Sequence, residues 1–186
     1  MTGMMGNMTG QAAPNLADIQ MLVLDVDGVL TDGTLTINAD GSESKAFNVL
    51  DGHGIRMWQR AGLKVAFLSG RASAATMHRA KQLEVEHVLQ DCHYKLDALK
   101  EFLGKVALAP ENVAYVGDDL PDLPVIRYVG FGVAVANAVD EVKQHADFVT
   151  TRSGGAGAVR EVIEYILKNA GRWPELMKRY LPQGQE

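Results

Sequence analysis

The sequence has little of three things that would each point to a distinct class of protein: cysteine, net positive charge and long apolar runs. Its single cysteine, Cys92, excludes an intrachain disulfide and is typical of the reducing cytoplasm, where we expect the protein to act. With 18 Lys and Arg against 23 Asp and Glu, the formal charge is −5, which indicates no basic surface for nucleic acid. The apolar run at residues 21–24 is far too short to cross a bilayer, and no signal-peptide pattern is visible. We therefore expect neither a nucleic-acid nor a membrane partner.

What is present is a regular alternation of predicted strands and helices. The chain has 186 residues, 47% of them hydrophobic, which suffices for one domain with a substantial core. The alternation predicts an α/β fold with a doubly wound, mostly parallel, Rossmann-like sheet over residues 16–171. Residues 34–47 predict a projecting β-hairpin, and no stretch is long enough for a separate cap domain. We expect residues 1–15 to be a disordered leader and residues 172–186 a flexible C-terminal tail.

The most informative stretch is an apolar strand that ends in two aspartates and a glycine, DVDGVLTDG at residues 25–33. The strand before it shows no alternation, which is typical of a parallel strand buried on both faces. Asp25 and Asp27 then lie at its carboxyl end, where open α/β sheets bind ligands, and Gly28 permits a sharp exit. Two such close carboxylates repel each other unless a cation such as Mg²⁺ binds them. A solvated turn or a helix cap is the alternative.

Polar residues also follow two later strands. Ser69-Gly70-Arg71 follows one apolar strand, and the Ser69 hydroxyl with the Gly70 amide would donate to a phosphate. Asp118 ends another strand, within GDDLPD at residues 117–122. Because parallel strands bring their carboxyl ends to one edge of a sheet, these residues are expected to meet the first aspartates.

Two lysines belong with these turns. Lys95 opens a predicted helix, and Lys45 ends the predicted hairpin near the polar turns. Each signal is weak alone, since most lysines at such positions are solvated, and a surface salt bridge is the alternative for Lys45 and for Arg71.

Together these motifs resemble those of the haloacid-dehalogenase-type phosphohydrolases. The resemblance implies that Asp25 attacks phosphorus and forms an aspartyl-phosphate, and that Asp27 is the general acid and base. It also implies that Ser69, with Gly70, and Lys95 bind the phosphate.

The resemblance implies a Mg²⁺ site as well. Its metal ligands are Asp25, Asp27 and Asp118. Asp119 and Asp122 match carboxylates that bind metal-bound water or orient the motif lysine. For Asp119, a simple cap of the following helix is the alternative.

A narrower resemblance covers nearly the whole folded part, from about residue 16 to about residue 171. The chain is similar to the family of 3-deoxy-D-manno-octulosonate (KDO) 8-phosphate phosphatases in a set of segments: DVDGVLTDG, KAFN, DGHGI, SGR, ALAPENVAYVGDDLPD and GGAGAVRE. This implies a capless, Mg²⁺-dependent, cytoplasmic homotetramer that dephosphorylates a sugar acid for lipopolysaccharide core. It implies too that the hairpin of one subunit covers a neighbour's active site, and that Arg71, Lys45 and Arg160 contact the substrate.

One position departs from the family pattern. Many members carry Arg in the glycine-rich stretch where this chain has Ala156. Phosphatases of nonulosonate 9-phosphates (KDN or sialic-acid type) are therefore an alternative, and so is a non-catalytic oligomerisation module of the same fold. The intact aspartates favour the enzyme, because a scaffold has no need of mutually repelling carboxylates.

Overall fold

The computed structural model describes residues 14–181, which fold into a six-stranded parallel sheet between two layers of helices. The sheet order is β5-β4-β1-β6-β7-β8, and a separate antiparallel ribbon is formed by β2 and β3. The strands are β1 Met21–Leu24, β2 Thr36–Ile37, β3 Glu43–Ser44, β4 Lys64–Leu68, β5 His87–Leu89, β6 Val113–Gly117, β7 Phe131–Ala134 and β8 Phe148–Val149. The helices are α1 Val49–Arg60, α2 Ala74–Gln82, α3 Lys95–Val106, α4 Leu123–Ile126, α5 Asp140–His145, α6 Ala158–Asn169 and α7 Trp173–Met177.

Strand β1 lies at the centre of the sheet. It pairs in parallel with β4 on one side and β6 on the other, and all four of its side chains are fully buried. The predicted parallel, doubly wound α/β sheet is therefore confirmed. The sheet order matters for function because the residues that follow β1, β4 and β6 lie side by side at one edge of the sheet.

Helix α1 begins earlier than the sequence suggests. The low helix propensity of glycine would place DGHG, residues 51–54, before the helix, yet Asn48 caps α1 and both glycines lie inside it. Packing is tight at Gly54, where a Cβ would lie 3.1 Å from Cδ and 3.3 Å from Cα of Arg160. A Cβ on Gly52, by contrast, would come closest to the flexible guanidinium end of Arg79, at 2.3 Å. The close approach of α1 to α6 thus outweighs the low helix propensity of glycine.

The predicted hairpin is present but its paired region is short. Only Thr36–Ile37 and Glu43–Ser44 pair, with Thr36 opposite Ser44. A turn closed by Asn38 and Ser42 joins them. Leu35 and Ile37 are exposed by 46% and 60%, so they have no apolar partner among residues 14–181 that covers them.

The C-terminal segment differs from the flexible tail that its proline and polar residues predict. Residues 173–177 form α7, in which Trp173 and Leu176 pack against the core. Lys168 lies over the Trp173 ring at 4.7 Å, and Arg60 donates to the Tyr180 hydroxyl at 2.9 Å. Two aromatic side chains are thus enough to hold a short helix on the domain.

The ends of the chain lie beyond the described region. The predicted leader falls on residues 1–15, of which residues 1–13 lie outside it, as do residues 182–186 of the predicted tail. Between residues 14 and 181, no helix has both the length and the apolar character needed to cross a membrane.

Candidate active site

The predicted convergence of polar turns occurs at the carboxyl edge of the sheet. Asp25 follows β1, Ser69 follows β4 and Asp118 follows β6, so three neighbouring strands each deliver one polar side chain. The Asp25 amide donates to Val116 in β6, which continues the ladder to the first residue of the site. Asp25 and Ser69 are 5% and 3% exposed, so their polar atoms face a water-poor cleft.

Gly28 makes room for Asp118. Its φ is +93°, and a Cβ at this position would lie 2.0 Å from Oδ2 of Asp118. The loop after β1 and the loop after β6 therefore touch, and a side chain at residue 28 would displace the carboxylate. Gly28 is thus required for more than the sharp exit that the sequence predicted.

Lys95 is buried at the centre of the site. Its Nζ lies 2.8 Å from Oδ1 of Asp25 and 2.6 Å from Oδ1 of Asp122. The residue is only 7% exposed, which rules out the interpretation as a solvated lysine. Burial alone would lower the pKa of Lys95, but the two carboxylates outweigh it and raise the pKa, so the ammonium stays charged.

Asp122 is held by four donors. Besides Lys95, the Tyr115 hydroxyl donates to its Oδ1 at 2.5 Å. The backbone amides of Asp118 and Asp119 donate to its Oδ2 at 2.9 and 3.2 Å. With both oxygens engaged, Asp122 orients Lys95, and this geometry matches one of the two predicted roles.

Sequence reasoning missed Tyr115. The residue lies in β6 within an apolar run and is fully buried, and burial raises the pKa of its hydroxyl far above the ordinary value, as does the charge of Asp122. It is the one residue with a polar tip in the strand VAYVG. That was a usable signal, since a buried tyrosine hydroxyl usually has a partner.

Three carboxylates form a cluster that could hold a cation. Oxygens of Asp25, Asp118 and Asp122 all lie within 4.8 Å of one another. Burial raises the pKa of Asp25 well above its usual value, and the charge of Asp122 adds to that rise. The pKa of Asp118 rises to about 6 for the same reasons. Carboxylates held together at this cost fit Mg²⁺, which prefers oxygen ligands. The cluster contains Asp122, where the sequence predicted Asp27.

Asp119 points away from that cluster. Its exposed side chain accepts from the Leu120 amide at 2.8 Å and forms a capping box with Asp122. The capping alternative considered for Asp119 therefore describes its observed contacts.

Asp27 is engaged by the hairpin of its own chain. The Lys45 ammonium forms an ion pair with Oδ1 of Asp27 and lies 3.5 Å from Oε1 of Glu43. The Lys45 side chain is only 1% exposed, so its ion pair with Asp27 is not the surface salt bridge that was considered as the alternative. Oδ2 of Asp27 is buried without a hydrogen bond among residues 14–181.

The turn predicted to bind phosphate directly follows β4 and lies beside Lys95. The Arg71 amide donates to Oγ of Ser69 at 3.2 Å, while its guanidinium pairs with Oε2 of Glu43 at 2.7 Å. A Cβ at Gly70 would lie 4.0 Å from Cε of Lys95, so the turn faces the lysine stem. Glu43, which joins Arg71 to Lys45, had no distinguishing signal in the sequence.

Arg160 is not brought to this cluster. Its Nε lies 2.6 Å from Glu164 one turn along α6, and its backbone amide donates to Asp51 at 2.8 Å. These contacts place it in the interface between α1 and α6, beside Gly54. Within the described chain, the prediction that Arg160 binds substrate has no support from its position, because an i,i+4 ion pair on its own helix holds the side chain.

Comparisons with known proteins agree with this geometry. A family model described as haloacid dehalogenase-like hydrolase matches residues 87–163. The 3-deoxy-D-manno-octulosonate 8-phosphate phosphatase KdsC of Escherichia coli (strain K12) is 44% identical over 170 residues, which cover 91% of this chain and 90% of that protein. The Salmonella typhimurium protein of the same name is 47% identical, over 85% of this chain and 84% of its own length.

Solved structures add the fold. The crystal structure of the Moraxella catarrhalis phosphatase, in complex with magnesium ion, phosphate ion and KDO molecule, has a TM-score of 0.88 at 39% identity and covers 90% of this chain and 96% of that one. A probable YrbI-family phosphatase from Pseudomonas syringae has a TM-score of 0.88 at 48% identity, over 92% and 97%. The parallel sheet and the carboxylate edge thus define a haloacid-dehalogenase-like hydrolase without a cap domain. Within that class, the chain belongs to the family of 3-deoxy-D-manno-octulosonate 8-phosphate phosphatases.

Proposed function

We propose that this protein hydrolyses a sugar-acid phosphate, 3-deoxy-D-manno-octulosonate 8-phosphate, to KDO and inorganic phosphate. The observation that carries the proposal is the group formed by buried Asp25 and Lys95 with half-buried Asp118 at the carboxyl edge of the sheet. An anionic nucleophile, a fixed cation beside it and a second carboxylate for a metal are the parts that phosphoryl transfer needs.

Asp25 is the nucleophile in this proposal. One of its oxygens attacks phosphorus, the ester oxygen leaves as the alcohol, and Asp27 supplies the proton which that oxygen takes. Water then attacks the aspartyl-phosphate and gives its proton to Asp27, which restores Asp25 and releases phosphate. Asp27 suits the role of proton donor and acceptor because its Oδ2 is buried near the hairpin and has no hydrogen bond in the described chain.

Lys95 and the turn after β4 hold the transferred group. The ammonium is fixed by Asp25 and Asp122, so it is oriented before the substrate arrives. The Ser69 hydroxyl and the Gly70 amide lie at the adjacent strand end and donate to phosphate oxygens. Positive charge and donors fixed in this way stabilise the equatorial oxygens as charge spreads over them.

The same residues fit magnesium. Asp25 and Asp118 would supply carboxylate oxygens, Asp27 adjoins them on the loop after β1, and Asp122 would lie behind them, whereas Asp119 caps the next turn. When bound, Mg²⁺ offsets the charge of the nucleophile and of the phosphate. Without a cation, burial and mutual repulsion keep the pKa values of Asp25 and Asp118 raised, which favours their neutral forms.

The substrate assignment follows the relatives' names and the local cations. Lys45 and Arg71 stand beside Asp27 and the phosphate turn, where they suit a polyhydroxylated anion. Ala156 is exposed in the loop that follows β8 and brings no charge of its own. The octulosonate is favoured over nonulosonate 9-phosphates because the curated relatives at 44–47% identity are named for it. Its release would serve lipopolysaccharide core synthesis.

We also propose that the active unit is a cytoplasmic homotetramer in which the hairpin tip reaches a neighbouring subunit. The support is the exposed apolar surface of the hairpin and of the first turn of α1, where Val49 is 80% exposed. Closed symmetric assemblies commonly cover such surfaces. The foot of the hairpin, with Lys45, stays in its own subunit's site.

Phosphate release from a panel of sugar phosphates, with and without Mg²⁺, tests the function. We expect KDO 8-phosphate to be the best substrate, and Asp25→Asn to lose several orders of magnitude in turnover, as loss of a nucleophile does. Asp32→Asn, in an exposed position of the same loop, is the matched control and should keep its activity. An Asp25→Asn variant with a tenth of the activity would rule out the aspartyl-phosphate, and no release from any substrate would favour the oligomerisation module.

A further inference from the structure

Two buried carboxylate oxygens beside the proposed proton donor lack hydrogen bonds. They are Oδ2 of Asp27 and Oε1 of Glu43, each buried and without a hydrogen-bond partner within residues 14–181. A buried acceptor without a donor is costly, and most such groups in proteins are satisfied. An unfilled pair at a catalytic edge therefore points to donors that arrive with a ligand.

Glu43 is held as a fixed anion. Its Oε2 accepts from Arg71 at 2.7 Å, and its Oε1 lies 3.5 Å from Nζ of Lys45. The nearby Ser73 hydroxyl, with Lys45 and Arg71, lowers the pKa of Glu43, so the carboxylate is ionised at neutral pH. Arg71 thus holds Oε2, while Oε1 has the 3.5 Å ion-pair contact with Lys45 but no hydrogen bond within residues 14–181.

The position of that oxygen relates it to the leaving alcohol. The Lys45 ammonium contacts both Asp27 and Glu43, so the two carboxylates lie on either side of this one ammonium group. In the proposed reaction the ester oxygen must lie within hydrogen-bond reach of Asp27 to take its proton. A hydroxyl on the next carbon is one carbon–carbon bond further along the leaving alcohol.

We propose that Glu43 is a specificity-determining residue whose Oε1 accepts a hydrogen bond from the hydroxyl on the carbon next to the phosphoester. The inference rests on the proposed function, and it deepens that function by stating which substrates the site favours: phosphate esters of vicinal diols over simple alkyl phosphates. In KDO 8-phosphate the hydroxyl concerned is on carbon 7. A site built around a substrate hydroxyl discriminates strongly against analogues that lack it, because its own polar group is then unpaired.

The test is a cycle between enzyme and substrate, in which Glu43→Gln and wild type act on KDO 8-phosphate and on its 7-deoxy analogue. In the variant, the amide oxygen stays with Arg71 and the amide nitrogen replaces the free acceptor by a donor. We expect kcat/KM for KDO 8-phosphate to fall about 10- to 100-fold, the range for a hydrogen bond to a charged group. On the deoxy analogue the two enzymes should differ less than about threefold.

Glu84→Gln is the matched control, because Glu84 also pairs with an arginine, Arg56, at 2.7 Å but is exposed elsewhere. Equal losses of Glu43→Gln on both substrates would overturn the proposal, since Glu43 would then act only by positioning Lys45 or Arg71. An unchanged Glu43→Gln would overturn it too. Wild type alone gives a readout that is independent of folding, for it must prefer KDO 8-phosphate to the deoxy analogue at least tenfold.

A second substrate pair separates this inference from the assignment of KDO. Glycerol 1-phosphate carries the neighbouring hydroxyl, and 1,3-propanediol monophosphate lacks it. If wild type ignores KDO 8-phosphate but Glu43→Gln selectively impairs the glycerol ester, the assigned sugar acid is wrong and the role of Glu43 stands. If KDO 8-phosphate is hydrolysed and neither pair shows selectivity that depends on Glu43, the role of Glu43 is wrong and the function stands.

Discussion

Removal of the metal should make the stability of this protein fall as pH rises, and Asp118 allows the size of the effect to be worked out. Burial and the charge of Asp122 raise its pKa from 3.8 to about 6 in the folded state. At about 1.4 kcal/mol per pKa unit, this shift corresponds to roughly 3 kcal/mol. The folded protein binds the proton more tightly than the unfolded chain does. The metal-free protein should therefore be most stabilised by this group below about pH 4, and lose that stability as pH rises through about 6.

Bound Mg²⁺ should reverse the trend, because it binds only the ionised carboxylates. The assay is denaturant unfolding of wild type and Asp118→Asn between pH 4 and pH 7.5, in chelator and in Mg²⁺. The difference between the two proteins in chelator isolates Asp118 from other titrating groups. It should change by about 2.5 kcal/mol between pH 4 and pH 7.5, because the unfolded carboxyl is already partly ionised at pH 4. Asp119→Asn, whose side chain caps the next turn in an exposed position, should show no such change. A difference between wild type and Asp118→Asn that is independent of pH would refute the reasoning.

Three further predictions concern packing and assembly. Gly28→Ala should weaken Mg²⁺ binding at least tenfold by calorimetry, because the new Cβ would lie 2.0 Å from Oδ2 of Asp118, whereas Gly41→Ala, at a similar positive φ with nothing within 4 Å, should not. Tyr115→Phe should lower the free energy of unfolding by about 1.5 kcal/mol, since it removes one hydrogen bond to a buried carboxylate that keeps its other donors; an unchanged midpoint in denaturant would contradict this. Replacement of residues 38–42, which spares Glu43, by a tight turn should weaken assembly and turnover together in sedimentation and phosphatase assays, and a fully active monomer would defeat the tetramer proposal.

The strand that ends in Asp25 shows how much local pattern can predict. Its unbroken apolar run was enough to predict a buried parallel strand, and its position before the aspartates placed them at the carboxyl edge. The three strand ends met as expected, because parallel pairing leaves no other edge for them. By contrast, the glycines of DGHG favour a start of α1 after residue 54, yet the helix begins at Val49, since helix propensity is local and the close packing of α1 on α6 is not.

Side-chain partners across the fold could not be predicted in the same way. Glu43 and Lys45 lie two residues apart in an ordinary polar hairpin, and nothing local indicates that one of them is buried against Asp27. Arg160 looked equally suited to an anionic substrate, yet Glu164 on its own helix holds it.

The sequence by itself determined the parallel α/β class of the sheet, the strands that end in polar residues and the residue types available for phosphoryl transfer. Periodicity and chain connectivity are local properties, so they can be read along the chain. Only the tertiary structure decided which of those residues act together. Several features of the site depend on segments far apart in the chain. Lys95 is buried between Asp25 and Asp122, and the Tyr115 hydroxyl donates to Asp122. Oε1 of Glu43 is buried without a hydrogen bond among residues 14–181. The physical reason is that hydrogen bonds and pKa shifts arise from distances between atoms, which the packing of the whole domain sets.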